Sequence, residues 1–326
     1  MSTTKIEWAT KVWNPITGCT KVSRGCWNCY AERFAKRLQK NPKTSKYAMG
    51  FDVTFHEDEL TKPMLWKKPE RIFVCSMGDL FHENVPFEII EAVFSVMSDI
   101  DRHTFIILTK RPERMYDFYN WKSNRLGFTL PYQTKDNVWI GVTAENQEQA
   151  DIRIPILLQI PSTKKFVSCE PMLGEIDLWL KYLPKVVEHR ALENGKMGIC
   201  WEENKGLNWV IAGGETGPDV RPMHPEWIRS LRDQCISSNV PFFFKGWGNY
   251  IPLNVSLDGI KPIRSKHNTY WKNKNGDTFE LIDEDGEFLV AGNNHEDYQQ
   301  VKWVSSSENY TRNKIDGQQY HEFPKL

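Results

Sequence analysis

Several familiar signals are missing from this 326-residue chain. It carries no net charge, since Lys+Arg and Asp+Glu both number 42. A surface drawn as a whole to nucleic acid or anionic lipid needs an excess of base, so only a local patch could serve such a partner. The best one is KRLQKNPKTSK (36–46). No run of apolar residues reaches transmembrane length. The opening MSTTKIEWATK lacks the apolar core of a signal peptide, and the expectation is a cytoplasmic protein. GxxxxGK[ST], a complete GxGxxG, GxSxG and HExxH are all absent. That sets aside a phosphate-cradling loop (despite GGETG at 213–217), a nucleophile elbow and a helical zinc peptidase. Internal repeats and low-complexity tracts are missing too.

Cysteine is scarce but clustered. Seven occur, at 19, 26, 29, 75, 169, 200 and 235. An odd count with three inside eleven residues does not suit a disulfide framework, and clustered thiols in a reducing compartment are more often metal ligands. The segment WNPITGCTKVSRGCWNCYAERFAKRL spaces Cys19, Cys26 and Cys29 as C-x6-C-x2-C. Gly18 and Gly25 each precede a cysteine and let the backbone turn tightly enough to aim thiolates at one point. YAERFAKRLQ then places Ala31, Phe34, Ala35 and Leu38 on one stripe of a helix. Cys29 therefore stands at a helix N-terminus, where the dipole favours thiolate. A structural zinc site closes with four ligands, whereas a [4Fe–4S] cube on three cysteines keeps one iron open. The competing readings are buried structural cysteines, or zinc completed by His56 or His82.

The remainder reads as alternating strand and helix. Continuous apolar runs at 71–76, 104–109, 137–143, 164–169, 208–213 and 241–245 have the pattern of strands covered on both faces. Pro86, Pro112 and Pro225 open helices between them, and Pro155 should end or kink another. The fold class expected is α/β, a parallel sheet open or closed into a barrel over residues 1–249 with an insertion at about 183–206. Asn-Gly and Asp-Gly turns in NKNGDTFELIDEDGEFLVAG predict that 250–326 forms an α+β, antiparallel extension packed on the barrel. Ligands of parallel α/β sheets sit at the carboxyl ends of the strands. Those ends carry Ser76, Met77, Gly78 and Asp79; Lys110 and Arg111; Thr143 and Glu145; Glu170; Gly213, Gly214 and Glu215; and Lys245 and Trp247. Lys110 and Arg111 could grip a phosphate or carboxylate, and His82 and Trp247 are further candidate substrate contacts. Cys75 and Cys169 read as core residues, and Cys200 and Cys235 as structural. Trp139, Trp209 and Trp247 suit a dry barrel mouth.

The cysteine segment resembles the cluster loop of the radical S-adenosylmethionine (SAM) superfamily. It departs from the usual C-x3-C-x2-C in its first gap, and Trp27 directly follows the second cysteine. The wider pattern resembles a poorly characterised, phage-associated radical SAM-like family with spore photoproduct lyase among its relatives. The shared motifs are W-N-P-x-T-G-C, G-C-x-N-C-Y-A-x-R, S-M-G-D-L-F, L-T-K-R-P, G-V-T-A-E, S-C-E-P-M, G-G-E-T-G, F-F-K-x-W-G and the C-terminal IDGQQYHEFP. They cover residues 6–248 and the final dozen. The resemblance implies that the parallel sheet takes the partial (β/α)6-type barrel form. It implies that Cys19, Cys26 and Cys29 are metal ligands and catalytic, and that SAM is cleaved at the open iron to a 5′-deoxyadenosyl radical. It also implies a flavodoxin- or ferredoxin-like electron donor. By the same resemblance, Ser76, Met77, Gly78 and Asp79 would hold the methionyl amine. Thr143 and Glu145 would face the ribose or carboxylate, Gly213, Gly214 and Glu215 the adenine, and Glu170 would be a further cofactor-binding residue. The implied reaction is isomerisation of an amino-acid-modified thymine in phage DNA, carried out in the host cytoplasm. The alternatives are a lesion-repair lyase, or a non-enzymatic zinc or iron–sulfur module that binds nucleic acid.

Overall fold

The computed structural model describes residues 4, 6–41, 45–127, 131–179, 181–184, 206–252, 314–316 and 318–324, and the strand segments 281–282, 288–289 and 303–305. In chain order the first part contains β1 (Lys11–Trp13), β2 (Ile16–Thr17), α1 (Tyr30–Gln39), β3 (Thr54–Phe55), β4 (Arg71–Val74), α2 (Phe87–Asp99) and β5 (Thr104–Thr109). Then follow α3 (Pro112–Arg125), β6 (Val138–Thr143), α4 (Gln147–Gln159), β7 (Lys165–Cys169), β8 (Trp209–Gly213), α5 (Pro225–Ser237) and β9 (Phe242–Gly246). Seven strands make one all-parallel, curled half-barrel sheet in the order β1-β4-β5-β6-β7-β8-β9. The α/β class is as expected, with one strand more than the six foreseen. That strand, β1, spans only three residues, too short for any hydrophobic period to show.

Side chains alternate across each strand, so the sheet buries two different faces. One face takes Val74, Ile107, Ile140, Val167, Val210 and Phe244 and packs against the helices through Phe94, Met115, Ile154 and Leu231. The other carries Phe73, Ile106, Trp139, Phe166, Trp209 and Phe243, closed over by Trp8 and Ala9. These aromatics fill the amino-terminal half of the half-barrel. Trp139 and Trp209 thus form its packed floor and do not line a mouth. Pro155 lies inside α4 and does not end it. Its missing N–H costs one helical hydrogen bond, and burial of Ile154 and Leu157 on either side outweighs that loss.

The C-terminal residues return to the sheet. Phe244 N donates to Tyr320 O (2.8 Å) and Glu322 N to Phe242 O (3.2 Å), so this segment runs antiparallel along β9. The Trp209 indole donates to Glu322 O at 2.8 Å. Short antiparallel pairs join β10 (Tyr250–Pro252) to β13 (Trp303–Ser305), β11 (Leu281–Ile282) to β12 (Phe288–Leu289), and β14 (Lys314–Ile315) to β15 (Gln318–Gln319). Most of the foreseen insertion and much of the extension, with Cys200, lie outside the described residues. Among the described residues no helix is long and apolar enough to cross a membrane.

A Cβ built on Gly141 would lie 2.5 Å from the Phe166 ring. Gly141→Val is therefore expected to lower stability by about 1–3 kcal/mol through overpacking, measured as a shift in the denaturant midpoint. An unchanged midpoint would show that the floor can yield.

Candidate functional site

The cysteine segment leaves the top of β1 and crosses the carboxyl ends of the neighbouring strands. Its first anchor is the turn after β4. Gly18 N donates to Met77 O at 2.9 Å, and Gly18 forms a parallel bridge with Gly78. Gly18 has φ +87°, and a Cβ there would lie 2.2 Å from Asp52 O, so only glycine fits. Asn14 Oδ1 accepts from Ser76 Oγ and from Met77 N, both at 3.1 Å. The Tyr30 hydroxyl donates to Ser76 O. Met77 packs on Ala31 and Ala35 of α1. Ser76, Met77 and Gly78, expected to face a cofactor, are thus the seat on which the loop and α1 rest.

The second anchor is Glu145, fully buried after β6. It accepts from Gly25 N at 3.0 Å and from Arg153 Nη1 at 3.0 Å. Burial alone would raise its pKa. Arg153, with the Lys110 charge and the hydrogen bond from Gly25 N, more than offsets this and holds the carboxyl below its ordinary range. A Cβ on Gly25 would come within 2.9 Å of the Glu145 carboxyl carbon. The third anchor follows β8. Arg221 Nε donates to Glu215 Oε2 at 3.0 Å, and its Nη2 reaches Arg24 O at 3.2 Å. Arg33 Nη2 donates to Thr216 O and Asn28 Nδ2 to Asp219 O, both at 3.0 Å.

The fourth anchor is Arg111, after β5. Its Nε donates to Glu83 Oε2 (2.9 Å) and its Nη2 to Thr20 Oγ1 (2.8 Å) and Thr20 O (3.3 Å). Its Nη1 donates to Asp79 Oδ2 (3.2 Å) and Cys19 Sγ (3.3 Å). A guanidinium has five N–H donors, so none is left for a substrate anion. Asp79 is equally committed. It accepts from the Thr109 hydroxyl (2.7 Å), Phe81 N (3.0 Å), Lys110 N (3.3 Å) and Arg111. That differs from the expectation of a free ammonium partner. His82 is buried and engaged at both nitrogens: Nδ1 accepts from Asn84 N, and Nε2 donates to Thr20 Oγ1 at 2.9 Å. Burial, then Arg111, lowers its pKa, so it is neutral and structural.

Cys19, Cys26 and Cys29 are free thiols at intermediate exposure, and Cys29 is the N-cap of α1. Burial and then the Asp79 charge push the Cys19 thiol up to about 11, against the pull of Arg111. Cys75 and Cys169 are buried core thiols. Among the described residues no three His, Cys, Asp or Glu side chains are gathered tightly enough to hold a single ion. The two histidines that could complete a zinc site point elsewhere, with His56 Nε2 2.7 Å from Thr17 Oγ1. Zinc needs four donors on one ion, whereas a cube takes one thiolate at each of three irons. In number and kind, three thiolates on one stapled loop fit the cluster.

The remaining rim groups are Lys110, half-buried Glu170, Lys245 and the buried Thr143. Lys245 Nζ lies 3.1 Å from Glu170 Oε1, and Ser168 Oγ donates to Glu170 Oε2 at 3.2 Å. Gly213 and Gly214 are where the ends of β8 and β9 touch, since a Cβ on Gly214 would lie 2.1 Å from Trp247 O. Trp247, a candidate substrate contact by sequence, is buried with its indole donating to Lys314 O at 2.8 Å. Sequence reasoning missed Asn14, Arg153, Ser168 and Arg221. Only the spacing of Arg153, eight residues after Glu145 on the same helix approach, could have signalled any of them.

The chain is a parallel α/β half-barrel with a three-thiol loop stapled over its carboxyl rim. Residues 3–324 match the family described as "Protein of unknown function (DUF5131)", and the chain belongs to that family. Among solved structures, a mutant spore photoproduct lyase with AdoMet and a dinucleoside spore photoproduct bound is similar, at 10% identity and a TM-score of 0.39. The match covers 84% of this chain and 68% of that one. No curated protein sequence matches.

Glu145→Ala would leave Arg153 buried and unpaired, at a cost of about 3–5 kcal/mol. The folded-state pKa of Glu145 is depressed, so its contribution is complete above its ordinary value of 4.5 and fades as pH falls through the folded value. Acid unfolding of the wild type should therefore steepen below that pH. The variant should start less stable and lose that portion of the slope. Equal slopes in both would refute the linkage.

Proposed function

We propose that this chain is a radical SAM-type enzyme, holding a [4Fe–4S] cluster on Cys19, Cys26 and Cys29 with SAM over the carboxyl ends of the strands. One observation carries the reading. Three free thiols share a single loop, that loop is fixed to four strand ends, and the residues that could convert it to a zinc site are bonded elsewhere. When bound, the cluster and SAM supply one-electron cleavage of SAM and a 5′-deoxyadenosyl radical for hydrogen abstraction. The chain's own residues bind and orient. Glu145, Glu215 and Arg111 fix the loop. Thr143, Lys110, the Glu170–Lys245 pair and the Gly213–Gly214 turn would face SAM and substrate. The aromatic floor keeps water from below.

A modified base in nucleic acid is the substrate class we favour, with isomerisation of an amino-acid-modified thymine as the specific reaction. Local charge supports it. Residues 20–40 contain Lys21, Arg24, Arg33, Lys36, Arg37 and Lys40 against the single acid Glu32, in a chain of zero net charge. Trp27, Tyr30 and Phe34 are exposed there, with Arg24 and Arg221 over Trp27 at 5.5 and 5.4 Å and Arg37 over Phe34 at 4.6 Å. Exposed aromatics among cations suit stacked bases and phosphates.

Anaerobically reconstituted protein with dithionite and SAM should release 5′-deoxyadenosine and methionine, and Cys29→Ala should release neither. Cluster-loaded wild type that leaves SAM intact would overturn the assignment. SAM cleavage with no change to DNA carrying the modified thymine would remove the substrate proposal and leave the enzyme class standing.

A further inference from the structure

Arg111 is placed for more than stapling a loop. Among the described residues, Cys19 alone of the three thiols receives a side-chain donor, and that donor is a guanidinium that is 8% exposed. The fork is held from three sides, by Glu83 on Nε, Thr20 on Nη2 and Asp79 on Nη1. Thr20 is itself fixed by His82, and Asp79 by Thr109 and Phe81 N. Arg111 Nη1 therefore stands between a buried carboxylate and a sulfur. Without it, the Asp79 charge would act on Cys19 uncompensated.

We propose that Arg111 is a positioning residue for the cluster, and that its hydrogen bond to Cys19 Sγ and its neutralisation of Asp79 set the cluster's reduction potential. This rests on the function proposed above. Potentials of thiolate-bound clusters depend on net nearby charge and on hydrogen bonds to the ligand sulfurs. Reduction adds negative charge, so a cation donating to a ligand sulfur makes reduction easier. Lysine cannot replace it, because one ammonium cannot span Glu83, Thr20, Asp79 and Cys19 together.

The test is an anaerobic redox titration of reconstituted wild type, Arg111→Met and Asp79→Asn, followed by electron paramagnetic resonance, with iron per chain measured in parallel. Arg111→Met should shift reduction to more negative potential by at least a tenfold change in the equilibrium, about 59 mV for one electron. Asp79→Asn keeps the side chain's size and removes the charge, so it should shift in the opposite direction. Opposite shifts are what a merely structural role would not produce. Wild-type potentials in both variants, or shifts of the same sign, overturn the inference. If Arg111→Met holds no iron, Asp79→Asn decides: a positive shift upholds the inference, and any other result overturns it. Absence of a cluster in the wild type would instead overturn the function on which this rests.

Discussion

The buried carboxylate of Glu145 joins the two halves of this protein's architecture. On one side it is fixed by Arg153 from α4, and so by the sheet-and-helix core. On the other it takes the amide of Gly25, one residue before the second cysteine of the loop. The loop has little regular structure of its own between β2 and α1, only a short 3-10 turn at Arg24–Cys26. Its thiols therefore have a defined position only because the core holds them there.

The same device is found after three alternate strands of the sheet, β4, β6 and β8. Asp79 with Arg111, Glu145 with Arg153 and Glu215 with Arg221 each pair a buried acid with a guanidinium, and each pair or one of its members reaches the loop. Buried ion pairs add little net stability compared with well-packed apolar groups, but removing one partner is costly and their directional bonds admit few alternatives. Here they trade stability for position. A site that must hold ligands in fixed relation benefits from that trade. The aromatic floor beneath, from Trp8 to Phe243, supplies the apolar burial that these pairs do not.

Much of this was legible in the chain. The continuous apolar runs located six of the seven parallel strands, because strands buried on both faces leave that mark. The cysteine triplet with its leading glycines, and the helix after Cys29, were also readable. The roles of the polar residues at the strand ends were harder to read. Asp79, Glu145 and Glu215 look alike in sequence whether they face a ligand or an arginine, and only the fold shows that Arg111, Arg153 and Arg221 close on them. Trp247 and His82 were read as open for the same reason. The partners that close them, Lys314 O and Thr20, are distant in sequence.

The central claim is that the stapled thiols hold an iron–sulfur cube and nothing simpler. Its most direct measure is the metal and acid-labile sulfide content of the wild-type chain after anaerobic reconstitution. About four irons and four sulfides per chain, with the broad visible absorption of a thiolate-bound cluster, are predicted. One zinc with neither iron nor sulfide would contradict the account.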